Sequence, residues 1–85
     1  MTQTKELRSV NNALKLNIKK EFLLKLEKEL SLLPTGSEFE STRKTLTEEI
    51  KTTKYEIDCL IEVLEIDKYS YLAQKTKAEL LEYYK

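Results

Sequence analysis

Apolar residues recur along positions 5–33 at steps of three and four: Leu7, Val10, Leu14 and Ile18 share one helical face, and Leu23, Leu26, Leu30 and Leu33 share another. That spacing follows the 3.6-residue turn and predicts a helix over about 5–33. At about 100° per residue the two faces point well apart, so either the helix bends near Asn17 or its two halves meet different neighbours. We read it as meeting different neighbours.

A second helix is expected over about 38–66. Phe39, Arg43, Leu46, Ile50, Thr53, Ile57, Leu60 and Leu64 follow one another at alternating steps of four and three. This is the pattern of a coiled-coil-like seam, with Leu46, Ile50, Ile57, Leu60 and Leu64 as its apolar packing or dimer positions. Arg43 and Thr53 interrupt the seam and are expected to weaken it while fixing its register. From Tyr55 onwards a second stripe, Tyr55, Cys59, Val63 and Ile66, runs on the opposite side. A helix apolar on two opposed faces needs cover on both.

The third segment, about 69–84, places Tyr69, Leu72, Ala73, Thr76, Leu80 and Tyr83 on one face and is expected to cover that second stripe. A break near Asp67 is inferred from the jump in apolar face after Leu64, with Asp67 or Ser70 available as a cap. A single continuous helix through Asp67, covered by a second subunit, is the competing arrangement.

Between the first two helices stands Leu33-Pro34-Thr35-Gly36-Ser37, which holds the only proline and the only glycine of the 85 residues. Pro34 stops the first helix, Gly36 permits a positive φ, and Ser37 with Glu40 has the spacing of a capping box. The string resembles a sortase sorting signal, L-P-x-T-G, but lacks the residue between proline and threonine, and no apolar segment with a basic tail follows it. It reads as the corner of an αα-hairpin, turn 34–37. The expected architecture is therefore all-α: one domain over 1–85, a small three-helix bundle built on a long antiparallel helical hairpin. Self-association into a homodimer would cover the displaced stripes, and a chain this short buries only about 60 % of its unfolded surface by itself.

Charge refines the picture. Fifteen basic and fifteen acidic residues cancel, yet residues 1–33 carry seven basic and four acidic side chains, residues 34–67 four and nine, and residues 68–85 four and two. An acidic middle helix between basic neighbours follows, with no global pull towards nucleic acid or membrane. Within the first helix, Arg8, Lys15 and Lys19 project from a similar side, a stripe that could contact phosphates or dock on the acidic second helix.

Catalytic chemistry finds little to work with. The chain has no histidine, which removes the histidine-assisted nucleophiles and the usual zinc sets. One glycine cannot make a phosphate-binding loop. The paired glutamates have lysines at helical spacing and lack the pocket that would split their pKa values. No cofactor is expected. Cys59, the only cysteine, has no disulfide partner within the chain and suits a buried position in a cytoplasmic protein. No signal-peptide pattern or membrane-length apolar run occurs.

The sequence thus points to a non-catalytic protein–protein interaction module, an adaptor, scaffold or small inhibitor whose partner is another protein. Its size and composition would fit a phage or mobile-element accessory protein or a bacteriocin-immunity-like protein, and no motif identifies either. Of the five tyrosines, Tyr71 and Tyr84 fall outside the packing stripes and are the candidate partner-binding residues. The alternative is a dimeric nucleic-acid-binding regulator using Arg8, Lys15 and Lys19, although no aromatic stacking platform accompanies them.

Overall fold

The computed structural model describes residues 4–85, and these contain helices and no strand. Helix α1 spans Thr4–Leu32, a 3-10 turn Ser37–Phe39 leads into α2, Glu40–Ile66, and a 3-10 turn Ser70–Gln74 leads into the short α3, Lys77–Leu81, which ends in a 3-10 turn Glu82–Tyr84. The long helices pack side by side as a hairpin, and the Cα atoms fill a rod of 56 × 23 × 15 Å.

α1 is one unbroken helix, and Asn17 sits inside it rather than at a bend. Its inward face is a single line that the apolar residues alone do not reveal: Ser9, Asn12, Leu16, Lys19, Leu23, Leu26, Leu30 and Leu33, at alternating steps of three and four, are all buried or half-buried. Polar residues at three of its positions disguise the line. Ile18, assigned to the first stripe, points to solvent and is 54 % exposed. A second inward face exists only in the N-terminal half, where Val10 and Ala13 are fully buried against the C-terminal elements. The halves of α1 thus differ in how many neighbours they have.

On α2, Thr53, Ile57 and Leu64 are buried, and Phe39, Arg43, Leu46, Ile50 and Leu60 are half-buried, so all eight positions of the expected line turn inward. Arg43 does more than interrupt it: its Nη2 donates to the carbonyl of Pro34 at 2.8 Å and ties the hairpin corner to the second helix. The corner itself departs from expectation. Gly36 has φ 171 and ψ 150, an extended conformation rather than a positive-φ one, and no side-chain cap forms at either Gly36 or Phe39. A 3-10 turn, closed by Phe39 N–H on the Gly36 carbonyl at 3.1 Å, takes the place of the Ser37–Glu40 capping box.

α2 ends at Asp67 in a Schellman motif. Tyr69 N–H donates to Leu64 O at 2.8 Å, Lys68 N–H donates to Glu65 O at 3.1 Å, and Lys68 holds the left-handed φ of 66. Glycine is the usual occupant of that position, which explains why composition gave no stop signal here. The apolar contact that accompanies such motifs is present, since Tyr69 packs on the cluster that contains Leu64. Neither Asp67 nor Ser70 caps the next element through its side chain.

The third segment is broken rather than a helix over 69–84. Lys75 and Thr76 are extended, and a capping box between Thr76 and Glu79 starts α3. Asn17 holds the joint: its Nδ2 donates to the Lys75 carbonyl at 3.3 Å as well as to its own Ala13 carbonyl at 3.1 Å. Leu72 and Leu80 are fully buried, and Tyr69, Ala73 and Tyr83 pack beside them. They lie against α1 and the Ile61 side of α2, not over Tyr55, Cys59, Val63 and Ile66. The Schellman turn causes this, because it folds the chain back over Leu64 and delivers it to the opposite flank. One core, Val10, Ala13, Leu16, Ile57, Leu64, Leu72 and Leu80, occupies the three-layered end of the rod. The other end is a bare helix pair.

Candidate partner-binding faces

Four tyrosines gather where α1 begins. The rings of Tyr69 and Tyr71 stand 6.1 Å apart at 54°, the tilted arrangement that aromatic quadrupoles favour. Tyr71 lies beside Glu6, and Tyr84 Oη donates to the Leu7 carbonyl at 3.4 Å. Burial, followed by the negative charge of Glu6, pushes the Tyr71 phenol above its ordinary value. Tyr69 and Tyr83 are half-buried against the core, whereas Tyr71 and Tyr84 keep about half their surface exposed. Leu81 is similarly open. Both candidate residues therefore stand at one end of the rod on a rigid base, Tyr71 on a 3-10 turn anchored by Leu72 and Tyr84 after α3 anchored by Leu80.

The opposite flank of the hairpin carries the apolar surface the C-terminal elements leave uncovered. Tyr55 is 70 % exposed, Val63 and Ile66 are exposed, and Cys59 is half-buried and free, rather than buried as its sequence neighbours suggested. Hydrogen bonding to the Cys59 thiol raises the Tyr55 phenol. Phe22 and Ile18 of α1 lie on the same flank; Phe22 lines an open groove with Thr45, Glu48, Glu49, Thr52 and Glu56. Sequence reasoning missed Ile18 and Phe22 as surface residues because the polar positions of the true inward line hid which face pointed out.

The three bases of the nucleic-acid reading are not equivalent. Arg8 and Lys15 are exposed, while Lys19 is half-buried and its Nζ pairs with Glu56 Oε2 at 2.6 Å. One of the three thus docks on the acidic helix. Among the described residues, no group of three or more His, Cys, Asp or Glu side chains could hold a metal ion, and no helix is long and apolar enough to cross a membrane. Leu46, Ile50, Ile57, Leu60 and Leu64 all lie on the inward face of α2, so none offers itself to a partner in the folded chain. Comparison with protein-family models, with curated protein sequences and with solved structures finds no match.

Proposed function

We propose that this chain is a non-catalytic protein–protein interaction module, an adaptor, scaffold or small inhibitor, whose helical hairpin packs in coiled-coil fashion and whose partner is another protein. The observation that carries the reading is the tyrosine cluster around Glu6 and Leu7, with Tyr71 48 % and Tyr84 51 % exposed on a buried base. Tyrosine presents a large amphipathic area and loses little rotamer freedom on binding, so anchored, half-exposed tyrosines suit the centre of an interface. The hydroxyls supply directional hydrogen bonds, and Glu6 adds a negative charge that favours a partner with a basic rim.

The test is capture of host proteins on immobilised chain after nuclease treatment, with the unaltered protein compared against Tyr71→Ala and Tyr84→Ala. A stoichiometric protein that is retained by the unaltered chain and lost with either substitution, at unchanged helicity, supports the reading. Retention that disappears with nuclease, or that survives both substitutions, counts against it.

A further inference from the structure

We propose that the flank opposite the C-terminal elements binds a second copy of this chain, related by a two-fold axis parallel to the long axis of the rod. The inference shares with the preceding section only the premise that the protein acts through its helical surfaces.

The flank has two halves of opposite charge. On α1, Arg8, Lys15, Ile18, Phe22, Lys25 and Glu29 fall on one line, at a first step of seven and then steps of three and four, three bases and one acid around a pair of exposed apolar residues. On α2, the facing side presents Glu48, Glu49, Tyr55, Glu56, Cys59 and Val63, three acids to which Lys51 is the bordering base, at the outer edge where it shares a second groove with Glu48. The groove that Phe22 shares with Glu48, Glu49 and Glu56 places both halves on one surface. Within the chain Lys19 already bridges them by pairing with Glu56.

This polarity selects the symmetry. With the axis parallel to the rod, α1 of each copy lies over α2 of the other, so bases meet acids at both contacts of a self-complementary interface. With the axis across the rod, α1 would lie on α1 and α2 on α2, and like charges would oppose one another. Rotation about a parallel axis also leaves each residue at its own height, so the register is not free. Both helices rise by about 1.5 Å per residue, and the Lys19–Glu56 pair therefore sets Lys25 level with Ile50, one residue from Glu49, and Ile18 level with the stretch between Tyr55 and Cys59. Lys25 of one copy meets Glu48 and Glu49 of the other, and Ile18 meets Tyr55 and Cys59. A face running roughly 40 Å along this rod and 20 Å across it offers about 800 Å² per copy, the share of a standard stable interface.

The experiment is sedimentation equilibrium over a wide concentration range on the full chain and on two charge-reversed variants, Lys25→Glu and the double change Glu48→Lys with Glu49→Lys. The unaltered protein should sediment at twice the 10.0 kDa chain mass. Each variant alone should dimerise about tenfold or more weakly, because like charges now oppose each other at both contacts. An equimolar mixture of the two should dimerise again, since both contacts of the mixed pair regain opposite charges. Helicity by circular dichroism checks folding, as all three sites are exposed. A monomer at every concentration overturns the proposal, as does a mixture no better associated than its components. A monomer whose flank becomes protected only on adding duplex DNA would assign the bases to nucleic acid instead. None of the three positions belongs to the tyrosine cluster, so loss of partner capture through Tyr71 and loss of dimerisation through Lys25 are separate failures.

Discussion

Leu64 tests the core most directly. It is fully buried, belongs to the cluster with Val10, Leu16, Leu72 and Leu80, and supplies the carbonyl that Tyr69 N–H meets at the end of α2. Leu64→Ala removes about three buried carbons, worth roughly 2.4 kcal/mol at about 0.8 kcal/mol each. The hole they leave adds up to about 2 kcal/mol if three layers of neighbours cannot collapse into it. The backbone hydrogen bond survives, so the expected loss is about 2.5–4.5 kcal/mol. A domain of this length is stable by about 4–13 kcal/mol, so the loss is about a fifth of the total or more. At roughly 4–8 °C per kcal/mol the melting temperature should fall by about 10–36 °C. The assay is thermal and urea unfolding followed by circular dichroism, at one fixed protein concentration because self-association would add a concentration dependence. Leu24→Ala is the control: the same atoms removed from a side chain 68 % exposed, away from both candidate faces, should change stability by less than about 0.5 kcal/mol. A loss below about 1 kcal/mol at Leu64, or an equal loss at Leu24, would refute the location of the core.

Three further outcomes follow from the same structure. Lys68→Gly should stabilise the protein by about 0.5–1 kcal/mol in urea unfolding, because it removes the Cβ strain of a left-handed residue at the Schellman turn, where φ is 66. Ser9→Ala should raise the unfolding midpoint by the equivalent of about 1 kcal/mol, since the Ser9 hydroxyl is buried without a hydrogen-bond partner and its burial costs more than the methyl it would become. Glu79 accepts from the Thr76 backbone N–H and hydroxyl, both at 3.1 Å, and these bonds, followed by the charge of Lys75, hold its carboxyl below the ordinary 4.5. A depressed carboxyl stabilises the fold above its unfolded value and ceases to as pH falls through its folded one, so the protection factors of the α3 amides, corrected for the intrinsic pH dependence of exchange, should fall below pH 4.5 and should not do so in Glu79→Gln.

Much of the architecture could be read from residue spacing because it depends on local periodicity. The α2 line from Phe39 to Leu64 repeats so regularly that its inward face follows from the sequence, and Pro34 places the end of α1 within two residues of Leu32. The capping box at Thr76 and Glu79 has a readable spacing too, but a stronger-looking apolar stripe over 69–83 masked it. Other features depend on partners distant in the chain. Ser9, Asn12 and Lys19 look like surface residues, and only the packed neighbour reveals that they lie on the inward line of α1. Lys68 gives no sign of a left-handed turn, since that conformation is imposed by the hydrogen bonds to Leu64 and Glu65 and by Tyr69 settling on the core.

The candidate faces divide in the same way. Residue order determined that apolar and tyrosine surface exceeds what one hairpin covers, that histidine-assisted chemistry is absent, and that a basic helix is followed by an acidic one. Tertiary structure decided which surface stays open. By folding back at Lys68 the chain spends its C-terminal elements on the flank of Val10, Ala13 and Ile61, gathers Tyr71 and Tyr84 at the start of α1, and leaves Ile18, Phe22 and Tyr55 uncovered on the other side. Periodicity fixes the angle at which a side chain leaves its own helix; which flank a later segment covers depends on one turn, where a few backbone hydrogen bonds set the direction of the chain.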